Sequence, residues 1–164
     1  MRKLLFIAAT LLVFAVPNWA ILGKERLLKS GHAVLVDLGP VDPRSLIQGD
    51  YMRLRYVLPD QLRKEIQSGP IDGKVVITLD ANGVAVLQRI FTAEVGLREK
   101  EMLLSYRRRR FGQANFGARS FFFQEGQANL YRGARYGELV VDEKGDSVLV
   151  GLRDAKFSRL GPKK

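Results

Sequence analysis

The chain has 164 residues, a formal net charge of +10 at pH 7 and a sequence pI near 10.1. This length accommodates one compact domain and a terminal segment. Because the chain contains no cysteine, disulfides, thiolate zinc sites, a cysteine nucleophile and a lipidated cysteine are excluded. The positive charge favours anionic neighbours such as lipid headgroups, an acidic protein or nucleic acid.

The N-terminal segment is apolar and begins with two basic residues. Arg2 and Lys3 precede an apolar run that starts at Leu4 and extends to Leu22. As a helix this run would span about 28 Å, close to the roughly 30 Å hydrocarbon core of a bilayer. We therefore predict a signal anchor, a single transmembrane helix over residues 1–23 of the inner (cytoplasmic) membrane with its N-terminus inside the cell. A cleaved signal peptide is the alternative, although no clean small-x-small cleavage site follows the run.

The rest of the chain is predicted to lie in the periplasm or outside the cell. Residues 24–32 form a stalk in this prediction, residues 33–160 a β-rich domain, and residues 161–164 a frayed tail. Two segments, 75–90 and 139–152, each contain two apolar strands joined by a loop that begins with Asp and ends with Gly, which is typical of a hairpin. The fold class is therefore mainly β, barrel-like or roll-like, with one or two short helices.

One stretch alternates as a strand does. Gly49 and Asp50 predict a turn. After it, Met52, Leu54, Tyr56 and Leu58 fall on one face, whereas Tyr51, Arg53, Arg55 and Val57 fall on the other. The first face is predicted to contact the core, and the second to meet water or a partner.

The same stretch carries a resemblance to a known family. The pattern Gly-Asp-Tyr-x-x-Leu-x-Tyr resembles the signature of the GDYXXLXY family of bacterial envelope proteins, and its fixed positions here are Gly49, Asp50, Tyr51, Leu54 and Tyr56. The similarity extends to residues 24–28, to a lead-in of Asp42, Pro43 and Arg44, and to residues 122–126. It implies a membrane-anchored envelope domain over most of the chain, with an integral membrane protein as partner. It implies no reaction.

Tyr51, Arg53 and Arg55 are candidate partner-binding residues. Tyrosine and arginine are enriched where proteins dock, because a rigid ring and a fork of donors offer much contact area and directional hydrogen bonds. The alternative is an ordinary solvated edge on which the arginine stems pack over the ring.

A second candidate surface is the run Arg107, Arg108, Arg109 and Arg110. Such a charge concentration suits anionic lipid headgroups near a membrane. The alternative is a solvated loop, or an edge strand whose charges prevent further pairing. Nucleic acid is not expected as a partner, because an exported domain rarely meets it.

Motifs for catalysis are missing from the sequence. It contains no Gly-x-Ser-x-Gly, no Ser-x-x-Lys and no phosphate-binding Gly-x-x-x-x-Gly-Lys-Ser loop, and His32 is the only histidine. We therefore expect no catalytic residues, no metal site and no cofactor. The predicted function is a non-catalytic accessory domain that docks to an integral membrane protein; the alternative is an enzyme or binder that acts on an anionic envelope lipid or polymer.

Overall fold

The computed structural model describes residues 2–39, 43–46, 49–109 and 113–162, and gives only the backbone for residues 2, 4–9, 20, 43–46, 49 and 50. The helices are α1 (Arg2–Ser30), α2 (Asp60–Ser68) and α3 (Ala128–Tyr131). The strands are β1 (His32–Asp37), β2 (Pro43–Leu46), β3 (Gly49–Arg53), β4 (Asp72–Leu79), β5 (Ala85–Ile90), β6 (Met102–Arg108), β7 (Ala114–Asn115), β8 (Ser120–Phe122), β9 (Tyr136–Val141) and β10 (Ser147–Arg153).

The described strands form three sheets, and all the pairings between strands are antiparallel. We call them the β1 sheet (order β1-β9-β10), the motif sheet (β2-β3-β8) and the β4 sheet (β5-β4-β6-β7). Single bridges join Leu35 to Val84 and Leu38 to Tyr56. The mainly β prediction is confirmed. The sheets do not close into a barrel over the described residues, because isolated bridges replace the continuous ladders that closure requires.

The N-terminal helix is continuous from Arg2 to Ser30 and includes most of the predicted stalk. Within the part of the chain that is described, no helix combines the length and the apolar character needed to cross a membrane. The apolar stretch whose side chains are described in α1 runs from Leu11 to Leu22 and is interrupted by Pro17 and Asn18. A helix at the N-terminus is thus confirmed, whereas the membrane-spanning part of that prediction is not supported.

The end of α1 is fixed to the β1 sheet. Leu27 is buried, and the Gly31 amide donates a hydrogen bond to the Leu27 carbonyl at 2.8 Å. A Cβ at Gly31 would lie 2.6 Å from Val140 Cγ1, so only glycine lets the chain approach β9 this closely.

The predicted alternation of residues 51–58 is confirmed. Met52, Leu54, Tyr56 and Leu58 are buried, whereas Arg53, Arg55 and Val57 are exposed. The buried side chains join the core together with Leu62 and Ile66, the apolar face of the amphipathic helix α2. Gly49 and Asp50, predicted as a turn, instead lie in β3 and pair with Leu46 and Ser45 of β2.

Both predicted hairpins are present, and their turns have the same chemistry. The Asp80 carboxylate accepts hydrogen bonds from the amides of Asn82 and Val84, both at 2.8 Å, and Gly83 has φ +77°. The Asp142 carboxylate does the same for residues 144 and 146. Aspartate therefore closes each turn, and the following glycine supplies the left-handed conformation.

A third turn of this kind was not predicted from the sequence. The Asp154 carboxylate accepts hydrogen bonds from the Lys156 and Ser158 amides, but the left-handed position holds Phe157, with φ +63°. The Phe157 ring stacks on Tyr136 at 5.1 Å between ring centroids. The stacking offsets the cost of a left-handed conformation in a residue other than glycine, about 1–2 kcal/mol.

The face assignment predicts unequal effects of two neighbouring substitutions. Leu54→Ala should lower the free energy of unfolding by about 2–5 kcal/mol, because it leaves a cavity in the core. Arg53→Ala should lower it by less than about 1 kcal/mol, because Arg53 is exposed. Urea unfolding of the full-length protein in mild detergent, followed by circular dichroism, measures both. Equal losses would contradict the assignment.

Candidate functional site

The segment after β3 is bonded on both sides by backbone hydrogen bonds. The Leu54 amide donates to the Arg119 carbonyl at 3.0 Å, and the Val57 amide donates to the Asp37 carbonyl at 3.0 Å. The Gly39 amide donates to the Arg55 carbonyl at 2.8 Å. Residues 54–57 therefore join the loop before β8 to the chain that follows β1.

Tyr56 adds a side-chain bond to this junction. Its hydroxyl donates to the Ala118 carbonyl at 3.0 Å, and its ring meets the buried Phe116 ring edge-on at 5.3 Å. Burial raises the pKa of the Tyr56 phenol well above its ordinary range, more than the hydrogen bond to Ala118 lowers it. The last tyrosine of the family pattern is thus a protonated core residue that holds the Phe116–Arg119 loop.

Tyr51 lies on the opposite, outer surface of the motif sheet. It pairs with Phe122 across β3 and β8, and the two rings are 5.9 Å apart. Tyr51 is half-buried, whereas Phe122 is 73% exposed. The sequence did not predict this role of Phe122, since its pairing with Tyr51 is not local.

Two exposed arginines follow Tyr51 along the chain. Arg53 follows Tyr51 on the same strand face and is exposed. The exposed Arg55 packs its stem against the backbone of Gly39, at which a Cβ would lie 3.5 Å from Arg55 Cδ. We call Tyr51, Phe122, Arg53 and Arg55 the aromatic patch. It contains all three predicted partner-binding residues.

Two of the three lead-in residues, Pro43 and Arg44, lie on the strand next to this patch. Arg44 pairs with Tyr51, and Pro43 pairs with Met52, along β2 and β3. Asp42 lies outside the described residues.

The arginine run does not form one surface. Arg107 and Arg108 belong to β6, which is paired on both sides, so they are neither in a loop nor on an edge. Successive residues of a strand point to opposite faces. Arg108 donates to the Gln67 carbonyl at the end of α2, whereas Arg107 is exposed and forms an ion pair with Asp72 at 3.2 Å. Arg109 bonds through its amide to the Gln113 carbonyl, and Arg110 lies outside the described residues.

A cleft of about 940 Å³ opens over the face of the β4 sheet that carries Arg107. Asp72 and Lys74 of β4 pair with Arg107 and Ser105 of β6, and Asn115 of β7 pairs with Arg107. Directly paired residues share a face. The floor of the cleft is therefore a polar row of five side chains on three neighbouring strands.

Three other elements form the walls of this cleft. Lys24 comes from α1 and Arg119 from the loop bonded by Tyr56, whereas Asp146 ends the turn before β10 and Ser147 begins that strand. No local sequence pattern connects these residues, because they are brought together only by the packing of α1 and the β1 sheet beside the β4 sheet.

Two buried carboxylates form ion pairs with arginines. Glu101, with an 8% exposed side chain, forms an ion pair with Arg89 at 2.9 Å. Glu138 forms one with Arg153 at 2.8 Å and lies 3.8 Å from Arg159. The hydrogen bond to Glu138 raises the pKa of Arg153. Among the described side chains, no group of three or more His, Cys, Asp or Glu residues is arranged to hold a metal ion.

Comparison with protein families gives one match. A family model described as GDYXXLXY protein matches residues 13–152, which is most of the chain. Comparisons with curated proteins and with solved structures give no match.

The buried Tyr56 phenol predicts a loss of stability in alkali. Its folded pKa lies above the ordinary value of about 10, so the unfolded chain releases this proton first. The protonated phenol therefore contributes fully to the free energy of unfolding below about pH 10. Above that pH the contribution is lost, by up to about 1.4 kcal/mol per pH unit. Urea unfolding between about pH 8 and about pH 11 measures it. Tyr56→Phe should have a shallower decline above about pH 10; an unchanged decline would contradict the assignment.

Proposed function

Because the chain belongs to the GDYXXLXY family, we propose that it is a non-catalytic accessory domain of the cell envelope that docks to an integral membrane protein. The aromatic patch is the docking surface in this proposal. The observation that carries it is the Tyr51–Phe122 pair, in which a large aromatic ring stays 73% exposed on an ordered strand. Exposed aromatic side chains flanked by arginine are typical of the centre of a protein interface.

The patch also indicates the chemistry of its partner. Arg53 and Arg55 are exposed and form no ion pair with any described side chain. A complementary surface would offer an apolar pocket for Phe122 with carboxylates around it, since arginine forms two parallel hydrogen bonds with a carboxylate. The partner is therefore expected to present acidic residues on its extracytoplasmic side.

Helix α1 would attach the domain to the membrane. Leu11, Leu12, Val13 and Phe14 are consecutive and each more than half exposed, and Trp19 is 82% exposed. Consecutive helical residues point in different directions around the axis, so α1 is apolar on more than one side. This arrangement supports an apolar environment around α1, and the domain would then lie in the periplasm or outside the cell.

Two buried carboxylates support a role without catalysis. Glu101 and Glu138 each form an ion pair with arginine. A general acid or base must be able to exchange a proton with substrate, and these two carboxylates are occupied by other groups.

The docking proposal is tested by removing one ring at a time. Tyr51→Ala and Phe122→Ala should each weaken binding to the purified partner about thirtyfold, the effect of losing an interface anchor worth about 2 kcal/mol. The partner is first identified by co-purification from detergent-solubilised membranes. Leu130→Ala, which truncates an exposed apolar residue of α3, is the matched control. If Tyr51→Ala binds the partner as the unchanged protein does, the patch is only a packed sheet edge.

Membrane attachment through α1 predicts how the protein fractionates. The unchanged protein should sediment with membranes, resist extraction by alkaline carbonate and dissolve in detergent. Replacing Leu12 and Phe14 by glutamine should shift it toward the carbonate-soluble fraction, because burying a polar side chain in hydrocarbon is unfavourable. Extraction of the unchanged protein by carbonate would contradict this attachment.

A further inference from the structure

We propose that the cleft over the β4 sheet binds a phosphate group, carried either by a lipid headgroup or by a soluble phosphate compound. The cleft is separate from the aromatic patch, so this inference goes beyond the docking function. Its volume of about 940 Å³ is near the upper end of the range of about 300–1,000 Å³ that is usual for small-molecule sites.

The charges of the cleft favour an anion, because four basic side chains line it against the two carboxylates of Asp72 and Asp146. Lys24, Lys74 and Arg119 line it and form no ion pair with any side chain in the described ranges. They come from α1, β4 and the loop before β8, so three separate elements direct cations toward one space. Like charges brought together in this way repel one another, and a bound anion would remove that repulsion.

Neutral donors complete the site. Asn115 lies on the floor and Ser147 lies on a wall, whereas the Ser105 hydroxyl already donates to the Asp146 carboxylate. Hydroxyl and amide groups bind phosphate oxygens, and arginine and lysine bind them more strongly because the hydrogen bonds are charge-assisted. A phosphate group offers several acceptor oxygens together with its negative charge, about −1.5 to −2 for a monoester at neutral pH, so it can contact several cations and donors at once.

Arg107 differs from Lys24, Lys74 and Arg119 because it already forms an ion pair. It already pairs with Asp72 at 3.2 Å, and both side chains are largely exposed. An exposed ion pair of this kind contributes little to stability. Arg107 can therefore turn from Asp72 toward a phosphate at a small cost in free energy. The carboxylate that it leaves stays in water.

The family motif places one of the cations. The Leu54 amide donates a hydrogen bond to the Arg119 carbonyl, and the Tyr56 hydroxyl donates one to the Ala118 carbonyl, both at 3.0 Å. Gly117, with φ +69°, lines the cleft next to them. Tyr56 is therefore a positioning residue: it acts on the ligand through the loop that carries Arg119.

Both sources of phosphate fit the surroundings of the cleft. Lys24 is two residues after Leu22, which is an exposed apolar residue of α1. A headgroup in the cleft would thus leave its acyl chains beside apolar side chains. A soluble phosphate compound would use the same cations without that contact.

The experiment titrates the full-length protein in detergent with each source separately. The soluble probe is sodium pyrophosphate, measured by calorimetry. The lipid probe is phosphatidylglycerol in mixed micelles, with phosphatidylcholine as the zwitterionic comparison. Saturable binding of pyrophosphate supports a soluble ligand, and preference for phosphatidylglycerol without pyrophosphate binding supports a headgroup. Binding of neither probe overturns the proposal.

Matched variants separate a site from general attraction to a basic protein. Lys74→Gln combined with Arg119→Gln should weaken binding about tenfold or more, because charge-assisted hydrogen bonds are lost. Lys64→Gln combined with Arg132→Gln removes the same charge from exposed positions on α2 and after α3 and should change binding less than about twofold. Equal losses in the two double variants overturn the proposal.

The role of Tyr56 is tested by a double-mutant cycle. Tyr56→Phe keeps the ring and removes the hydrogen bond to Ala118, and it should weaken binding in the unchanged background. In the Arg119→Gln background it should have no further effect, because the group it positions is gone. Additive losses in the cycle would show that Tyr56 does not act through Arg119.

Discussion

The structure depends on the hydrogen bonding of residues 54–57. Buried backbone N–H and C=O groups must be paired, and in this segment the partners belong to two different parts of the chain: the loop before β8 on one side, and residues 37–39 after β1 on the other. Leu54 and Tyr56 are at the same time buried in the core. A shift of one residue would turn both side chains toward water and break both sets of bonds. The motif therefore fixes the relative positions of the motif sheet and the β1 sheet.

The family pattern at residues 49–56 contributes to two surfaces. Near its start, Tyr51 lies on the outer surface, where it contacts Phe122. Near its end, Leu54 and Tyr56 bond the loop that brings Arg119 to the cleft. A docking partner and a phosphate ligand would thus each contact residues positioned by this pattern. Residues of the motif that never touch either one still determine the geometry of both surfaces.

The sequence predicted what depends on local patterns. Strict alternation assigned Leu54 and Tyr56 to the core, and Asp with Gly at fixed spacing located two turns. It did not predict the turn at Asp154, because Phe157 occupies the position where glycine is expected and is stabilised by the distant Tyr136. The arginine run looked like one surface because the pairing of β6 on both sides, which separates Arg107 from Arg108, was not visible. Lys24 and Arg119 could not be assigned to one cleft, since only tertiary packing brings them together.

The pairing of β1 with β9 affects how a newly made chain acquires its structure. Val34 pairs with Leu139, about 100 residues later, whereas β4 and β5 are joined by a tight turn and a hairpin of this kind forms in about 1–10 μs. At a synthesis rate of about 5–20 residues per second, β1 remains unpaired for roughly 5–20 s until β9 has been synthesised. During that time its apolar edge is open to pairing with other chains. The interval in which a nascent copy is most prone to aggregate therefore ends only when β9 has been made.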